Sequence, residues 1–107
     1  MTIREVTVDE LEQALATGAR VVDVREPVEY TEAHVPGAVL IALGTVPQNL
    51  DAFKGDDPVY IICRSGGRSM RACEFLADQG VEAVNVAGGM IAWATSGRAV
   101  VGGDLPE

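Results

Sequence analysis

A strand, a loop and a helix are encoded one after another in Val59-Tyr60-Ile61-Ile62-Cys63-Arg64-Ser65-Gly66-Gly67-Arg68-Ser69, within a chain of 107 residues. The first four residues are apolar without alternation, which is typical of a strand buried on both faces of a parallel sheet. After the glycine-containing loop, apolar residues recur at helical spacing and stop at Gly80. The pattern predicts an amphipathic helix from about Ser69 to Gln79.

The same alternation of short apolar runs and helical spacing continues on both sides of this stretch. A capping box formed by Thr7 and Glu10 precedes a predicted helix. Strands alternating with helices predict an α/β domain with a mainly parallel sheet and helices on both faces. The further predicted strands are Val21–Val24, Ala38–Ile41 and Val84–Val86, and the further helices run from about Val8 to Thr17, Pro27 to Ala33 and Met90 to Ala94.

The length and the apolar fraction of 48% suit one compact core. We therefore expect a single domain over residues 1–107, with a core at about 3–97 and a loosely held, glycine-rich tail at 98–107. A formal charge of -8 disfavours nucleic acid and anionic membranes as partners. The N-terminus lacks an apolar signal region, and no apolar run approaches the length of a membrane span, so a cytoplasmic protein is expected.

Cys63 follows its strand directly, and ligands collect at the carboxyl ends of strands in open α/β sheets. Gly66 and Gly67 allow several N–H groups of the loop to turn toward one point and form a nest for anions. The helix that follows adds its positive N-terminal end. Such surroundings lower a cysteine pKa from about 8.5 to between roughly 3.5 and 7.5, which predicts a nucleophilic thiolate.

Arginine side chains flank this cysteine. Arg64 and Arg68 can hold an incoming anion through their planar guanidinium groups. The predicted substrate is a small oxyanion that carries a transferable sulfur, or another small anion. The alternative interpretation is a buried apolar cysteine in an ordinary strand-to-helix turn.

Metal chemistry is disfavoured, because two cysteines ten residues apart and a single histidine are too few for a recognised zinc spacing. Cys73 lies on the apolar side of its predicted helix, where a small hydrophobic residue would serve equally well. His34 invites a general-base role, but we favour a turn-stabilising one, since a preformed thiolate needs no base.

Three segments together resemble the rhodanese homology domain, a sulfurtransferase family, over nearly the whole chain. They are Val22-Asp23-Val24-Arg25-Glu26 with Glu29-Tyr30 and His34-Val35-Pro36-Gly37-Ala38, the loop from Cys63 to Ser69, and Gly88-Gly89-Met90-Ile91-Ala92-Trp93 with Gly97. Ala33 stands where the family usually has glycine, and Ala99 where a proline is common. Neither departure lies in the cysteine loop.

The resemblance implies a five-stranded parallel sheet and a double displacement without metal or organic cofactor. Cys63 would take sulfur from thiosulfate or a similar sulfane-sulfur donor and pass it to a thiophilic acceptor such as cyanide, a thiol or a protein thiol. The N–H groups from Arg64 through Ser65, Gly66, Gly67 and Arg68 to Ser69 would cradle the persulfide. Asp23 and Arg25 would support the pocket.

Three other functions remain open on the sequence. A persulfide relay would take sulfur from a desulfurase and pass it to a sulfur-carrier pathway. A small-anion phosphatase or arsenate reductase shares the thiolate chemistry, but its loop places five residues between the cysteine and the arginine, whereas four separate Cys63 from Arg68. An inert recognition module is disfavoured because Cys63 is present.

Overall fold

The computed structural model describes residues 2–107, and Met1, the first residue of the predicted domain, lies outside the described residues. The sheet order is β1-β5-β4-β2-β3, and each pair of neighbours is parallel. This confirms the predicted α/β fold class with its five-stranded parallel sheet. The strands are β1 (Glu5–Val6), β2 (Arg20–Asp23), β3 (Val39–Leu40), β4 (Val59–Ile62) and β5 (Ala83–Val86).

Two apolar clusters lie on opposite faces of the sheet, because successive residues of a strand point to opposite sides. Tyr60 and Ile62 of β4 belong to one cluster, and Val59 and Ile61 belong to the other. Helices α1 (Val8–Ala16), α2 (Pro27–Glu32) and α4 (Gly89–Thr95) cover the first face. Helix α3 (Gly67–Asp78) and a 3₁₀ segment (Leu43–Phe53) cover the second, as predicted for helices on both faces.

Two elements are absent from the sequence-based prediction. Strand β1 has only two residues, and it is defined by its pairing with β5 rather than by any local pattern. Pro47 and a kink at Asn49 interrupt the 3₁₀ segment and obscure it in the sequence, although its buried residues Val46 and Phe53 lie seven apart, at helical spacing. Helix α3 also begins two residues earlier than predicted, at Gly67.

The connections of the sheet place a crevice beside the end of β4. From β4 the chain crosses through α3 to β5, whereas from β2 it crosses through α2 to β3 on the other side. The neighbouring strands β4 and β2 therefore flank the point where the direction of crossing reverses. Ligands bind at such a point in open α/β sheets, and Cys63 and Asp23 lie there.

The tail beyond α4 returns to the turn that follows α2. His34 and Val101 exchange backbone hydrogen bonds of 2.8 and 3.0 Å, and the Gly37 N–H donates to the Pro106 carbonyl. The buried His34 ring lies with Nδ1 2.8 Å from the Tyr30 carbonyl and Nε2 2.9 Å from the Leu105 carbonyl. These bonds argue against the predicted loosely held tail, a prediction that the truncation described below tests. They suit a turn-stabilising role for His34.

The longest helix of residues 2–107 is too short and too polar to cross a bilayer.

Removing residues 101–107 should lower the free energy of unfolding by about 2 to 3 kcal/mol, because buried polar groups at His34 lose their partners. Leu105→Ala is the matched control, since its side chain is exposed and only its carbonyl is used. Urea denaturation of the two variants measures the difference. A truncated protein as stable as the full chain would show that the tail is loosely held after all.

Candidate active site

The side chain of Cys63 lies at the carboxyl end of β4 and is only 1% exposed. The Gly66 N–H donates a hydrogen bond to its Sγ at 3.2 Å, and the Ser69 hydroxyl lies 3.3 Å away. Gly66 has a φ of 112°, a left-handed conformation that lets the loop turn back over the sulfur. Gly67 is the first residue of α3 and needs no such freedom. The predicted nest therefore depends on one of the two glycines.

Two opposing effects act on the Cys63 thiol. Burial, the larger single effect, raises its pKa, whereas hydrogen bonds from the Ser69 hydroxyl and from the N–H groups of Ser69, Gly66 and Ser65 lower it. The hydrogen bonds together outweigh burial, so the pKa of Cys63 lies below its ordinary value. Fixed donors of the loop therefore stabilise the Cys63 thiolate relative to that of an ordinary cysteine, and a nucleophilic thiolate stays a prediction.

Helix α4 holds the loop from the other side. The Met90 and Ile91 N–H groups donate to the carbonyls of Cys63 and Arg64 at 2.9 and 3.0 Å. A Cβ on Gly89 would lie 2.6 Å from the Arg64 oxygen and still closer to that of Cys63, so only glycine allows this approach. In the sequence, Gly89 belongs to the third segment that resembles the family, and the glycine pair before an apolar helix is the local signal for this contact, which the sequence analysis did not predict.

Asn85 of β5 supports the loop from below. Its buried amide nitrogen donates to the Gly66 carbonyl at 3.3 Å and to the Glu5 carboxylate at 2.8 Å. Gly66 is thus held through both its carbonyl and its N–H. Asn85 was not among the predicted site residues, and nothing in its short strand pattern distinguishes it.

The arginines near the loop differ in their partners. Arg25 forms a buried ion pair with Asp23 at 2.7 Å and also donates to the Ala33 carbonyl. Arg68 donates to both carboxylate oxygens of Glu29, at 2.7 and 3.0 Å. Arg64 is exposed and forms no salt bridge within residues 2–107. The pocket-supporting role of Asp23 and Arg25 stays a prediction, and so does anion binding by Arg64 and Arg68.

Cys73 belongs to the apolar cluster under α3. Burial, the main cause, raises the pKa of its thiol to about 12. Both cysteines are free thiols. Cys73 is therefore an unreactive core residue under ordinary conditions.

A groove of about 340 Å³ adjoins the loop at Arg64. Two arginines and two glutamates share its lining with apolar side chains, so a charged molecule that enters it meets both signs of charge. The lining residues are Arg25, Glu29, Glu32, Ala33, Arg64, Met90, Ile91 and Ala94.

The site is thus a buried cysteine after the central strand of a parallel α/β fold, with hydrogen-bond donors of the following loop around its sulfur. The rhodanese-like domain model matches residues 7–96, and the chain belongs to that family. The Bacillus subtilis protein "Putative sulfurtransferase YtwF" is 39% identical over 95 residues, which are 87% of this chain and 92% of the relative. A sulfurtransferase of Allochromatium vinosum is 37% identical over 92% of this chain and 95% of its own length. The crystal structure of a rhodanese-like domain protein from Staphylococcus aureus superposes with a TM-score of 0.81 at 40% identity, covering 85% of this chain and 91% of the other.

Gly66→Ala should impair the site, whereas Gly67→Ala should not. Alanine at 66 is strained by about 1 to 2 kcal/mol in the left-handed conformation, which displaces the N–H that faces Cys63. Position 67 is helical and open, so alanine there should raise stability by about 0.4 to 1 kcal/mol. Thermal unfolding and the rate of Cys63 alkylation measure both effects. Equal behaviour of the two variants would contradict this account of the loop.

Ser69→Ala should raise the pKa of Cys63, because it removes the hydroxyl that stabilises the thiolate. The rate of alkylation by iodoacetamide at pH 7 should fall about threefold to tenfold. Its rise with pH should move to higher pH, since a larger fraction of the cysteine is then protonated near neutrality.

Ser65→Ala is the matched control for this measurement. Ser65 is exposed and acts on Cys63 through its backbone N–H, which alanine keeps. A rate that falls equally in both variants would show that the Ser69 hydroxyl has no special role.

Proposed function

We propose that the protein is a sulfurtransferase that carries sulfur as a persulfide on Cys63, with thiosulfate or a similar sulfane-sulfur donor. The observation that carries this proposal is the set of fixed donors around a buried Sγ that lower its pKa. Family membership and the sulfurtransferase names of two relatives support it. No metal or organic cofactor enters the proposed reaction.

In the first displacement, the Cys63 thiolate attacks the outer sulfur of thiosulfate. A bond forms between that sulfur and Sγ, the sulfur–sulfur bond of thiosulfate breaks, and sulfite leaves with the electron pair. Helix α3 begins at Gly67, so the N–H groups of its first turn have no partner within the helix. These groups are available to stabilise the negative outer sulfur of the persulfide.

In the second displacement, a thiophilic acceptor attacks the outer sulfur of the persulfide. The Cys63 thiolate leaves with the electron pair and is ready for another cycle. Cyanide, a small thiol or a protein thiol has the required nucleophilicity. Because the Cys63 side chain is almost fully buried, the acceptor must be slender where it enters the loop.

Loading of the reduced protein tests this proposal. Incubation with thiosulfate should add one sulfur to Cys63 and release one sulfite per chain, as measured by peptide mass spectrometry and sulfite assay. Cys63→Ser should remain unmodified, whereas Cys73→Ser should load like the wild type because Cys73 is a buried core residue.

A less charged donor distinguishes a site that does not accept thiosulfate from a cysteine that does not take up sulfur at all. In the methanethiosulfonate anion a methyl group replaces one charged oxygen of thiosulfate, and the transferable sulfur is the same. An unmodified Cys63 after incubation with both donors would contradict the proposed function. Hydrolysis of an aryl phosphate that depends on Cys63 would support the phosphatase alternative instead.

A further inference from the structure

The cationic site predicted around Cys63 has much of its charge cancelled. Arg25 is paired with Asp23, and Arg68 is paired with Glu29 through two hydrogen bonds. Within residues 2–107, Arg64 in the loop and Arg71 in α3 form no salt bridge. A doubly charged donor therefore finds less positive charge than the arginine count of the sequence suggests.

The carboxylates of the two ion pairs differ in how accessible they are to an approaching sulfur donor. Asp23 is fully buried at the end of β2 and does not line the groove. Glu29 is 27% exposed and lines the groove that adjoins the loop. Hydrogen bonding from Arg68 lowers the pKa of the Glu29 carboxyl to about 2, so the carboxylate is charged at neutral pH. Of the two acids, Glu29 is the one that an approaching anion meets.

The loop itself supplies donors suited to one negative charge. Its N–H groups converge on a single sulfur, and α3 contributes the partial charge of a helix end. The groove that adjoins the loop is lined by Glu29 and Glu32 as well as by Arg64 and Arg25, so a second negative charge on a donor that enters through it meets carboxylates. Repulsion by a carboxylate is about twice as large for a dianion as for a monoanion at the same distance.

We propose that Glu29 is a specificity-determining residue that selects donors by charge. By holding Arg68 and placing a carboxylate at the groove, it favours monoanionic sulfane-sulfur donors, such as persulfides and thiosulfonates, over the thiosulfate dianion. This inference rests on the proposed sulfurtransferase function. It names the donor class for the same cysteine.

The chemistry with such a donor is balanced without any further reagent. The Cys63 thiolate attacks the terminal sulfur of a thiosulfonate and forms a new sulfur–sulfur bond. The donor's own sulfur–sulfur bond breaks, and a sulfinate leaves with the electron pair. With a persulfide donor, the leaving group is a thiolate.

The experiment compares single-turnover loading of Cys63 by thiosulfate and by methanethiosulfonate at neutral pH. Glu29→Gln should raise the ratio of the thiosulfate rate to the methanethiosulfonate rate about fivefold to tenfold, because one negative charge is removed and Arg68 is freed. Glutamine keeps an oxygen that can accept the Glu26 N–H bond at the start of α2. Glu82→Gln, an exposed change of equal charge in the turn before β5, should leave the ratio within twofold.

A second variant makes the test independent of how well Glu29→Gln folds. Arg68→Gln leaves the Glu29 carboxylate without its partner, so the rate ratio should move in the opposite direction by about fivefold. A purely structural role of the pair would change both donor rates equally and leave the ratio constant, and that result would overturn the inference. Loss of loading by both donors in the wild type would instead overturn the proposed function.

Discussion

The hydrogen bond from the Gly66 N–H to the Cys63 sulfur is the interaction on which the rest of the site depends. A thiolate that is almost fully buried is unfavourable unless fixed donors replace the water it has lost. Gly66 can supply such a donor because its backbone is left-handed, and Asn85 holds the carbonyl of the same residue. Helix α4 fixes the carbonyls on the other side of the loop through Met90 and Ile91. Strand β4, α3, β5 and α4 therefore meet at one peptide loop, and the parallel sheet brings their ends together.

Charge around the loop is distributed in two layers. The inner layer consists of neutral donors, the N–H groups of the loop and the Ser69 hydroxyl, which stabilise a negative sulfur without adding a net charge. The outer layer consists of arginines, of which Arg25 and Arg68 are already bound to carboxylates. A site built in this way stabilises a negative sulfur through neutral donors, and we propose that the outer layer discriminates among sulfur donors. In that proposal, the chemistry of Cys63 is separate from the choice of substrate.

The sequence predicts the central strands, the helices and the position of Cys63 at a strand end because each depends on a local pattern. The unbroken apolar run before Cys63 and the glycines after it are sufficient to place the thiol at a strand end. Strand β1 could not be predicted, since its two residues form a strand only by pairing with β5. The contacts of Gly89 and Asn85 join residues distant in sequence, and no local rule reveals them. Arg68 shows the same limit: its position beside Cys63 is evident from the sequence, but its partner Glu29 is 39 residues away.

The central claim is that hydrogen-bond donors of the loop lower the pKa of Cys63 below its ordinary value. The most direct test is a pH titration of the far-ultraviolet thiolate absorbance of Cys73→Ser, with the Cys63→Ser variant as reference. We expect the ionisation of Cys63 to give one step in Cys73→Ser that Cys63→Ser lacks, with a midpoint below the ordinary cysteine value of about 8.5. In Cys63→Ser, this step should be absent, because the pKa of Cys73 is raised to about 12. A midpoint at or above the ordinary value in Cys73→Ser would contradict the account.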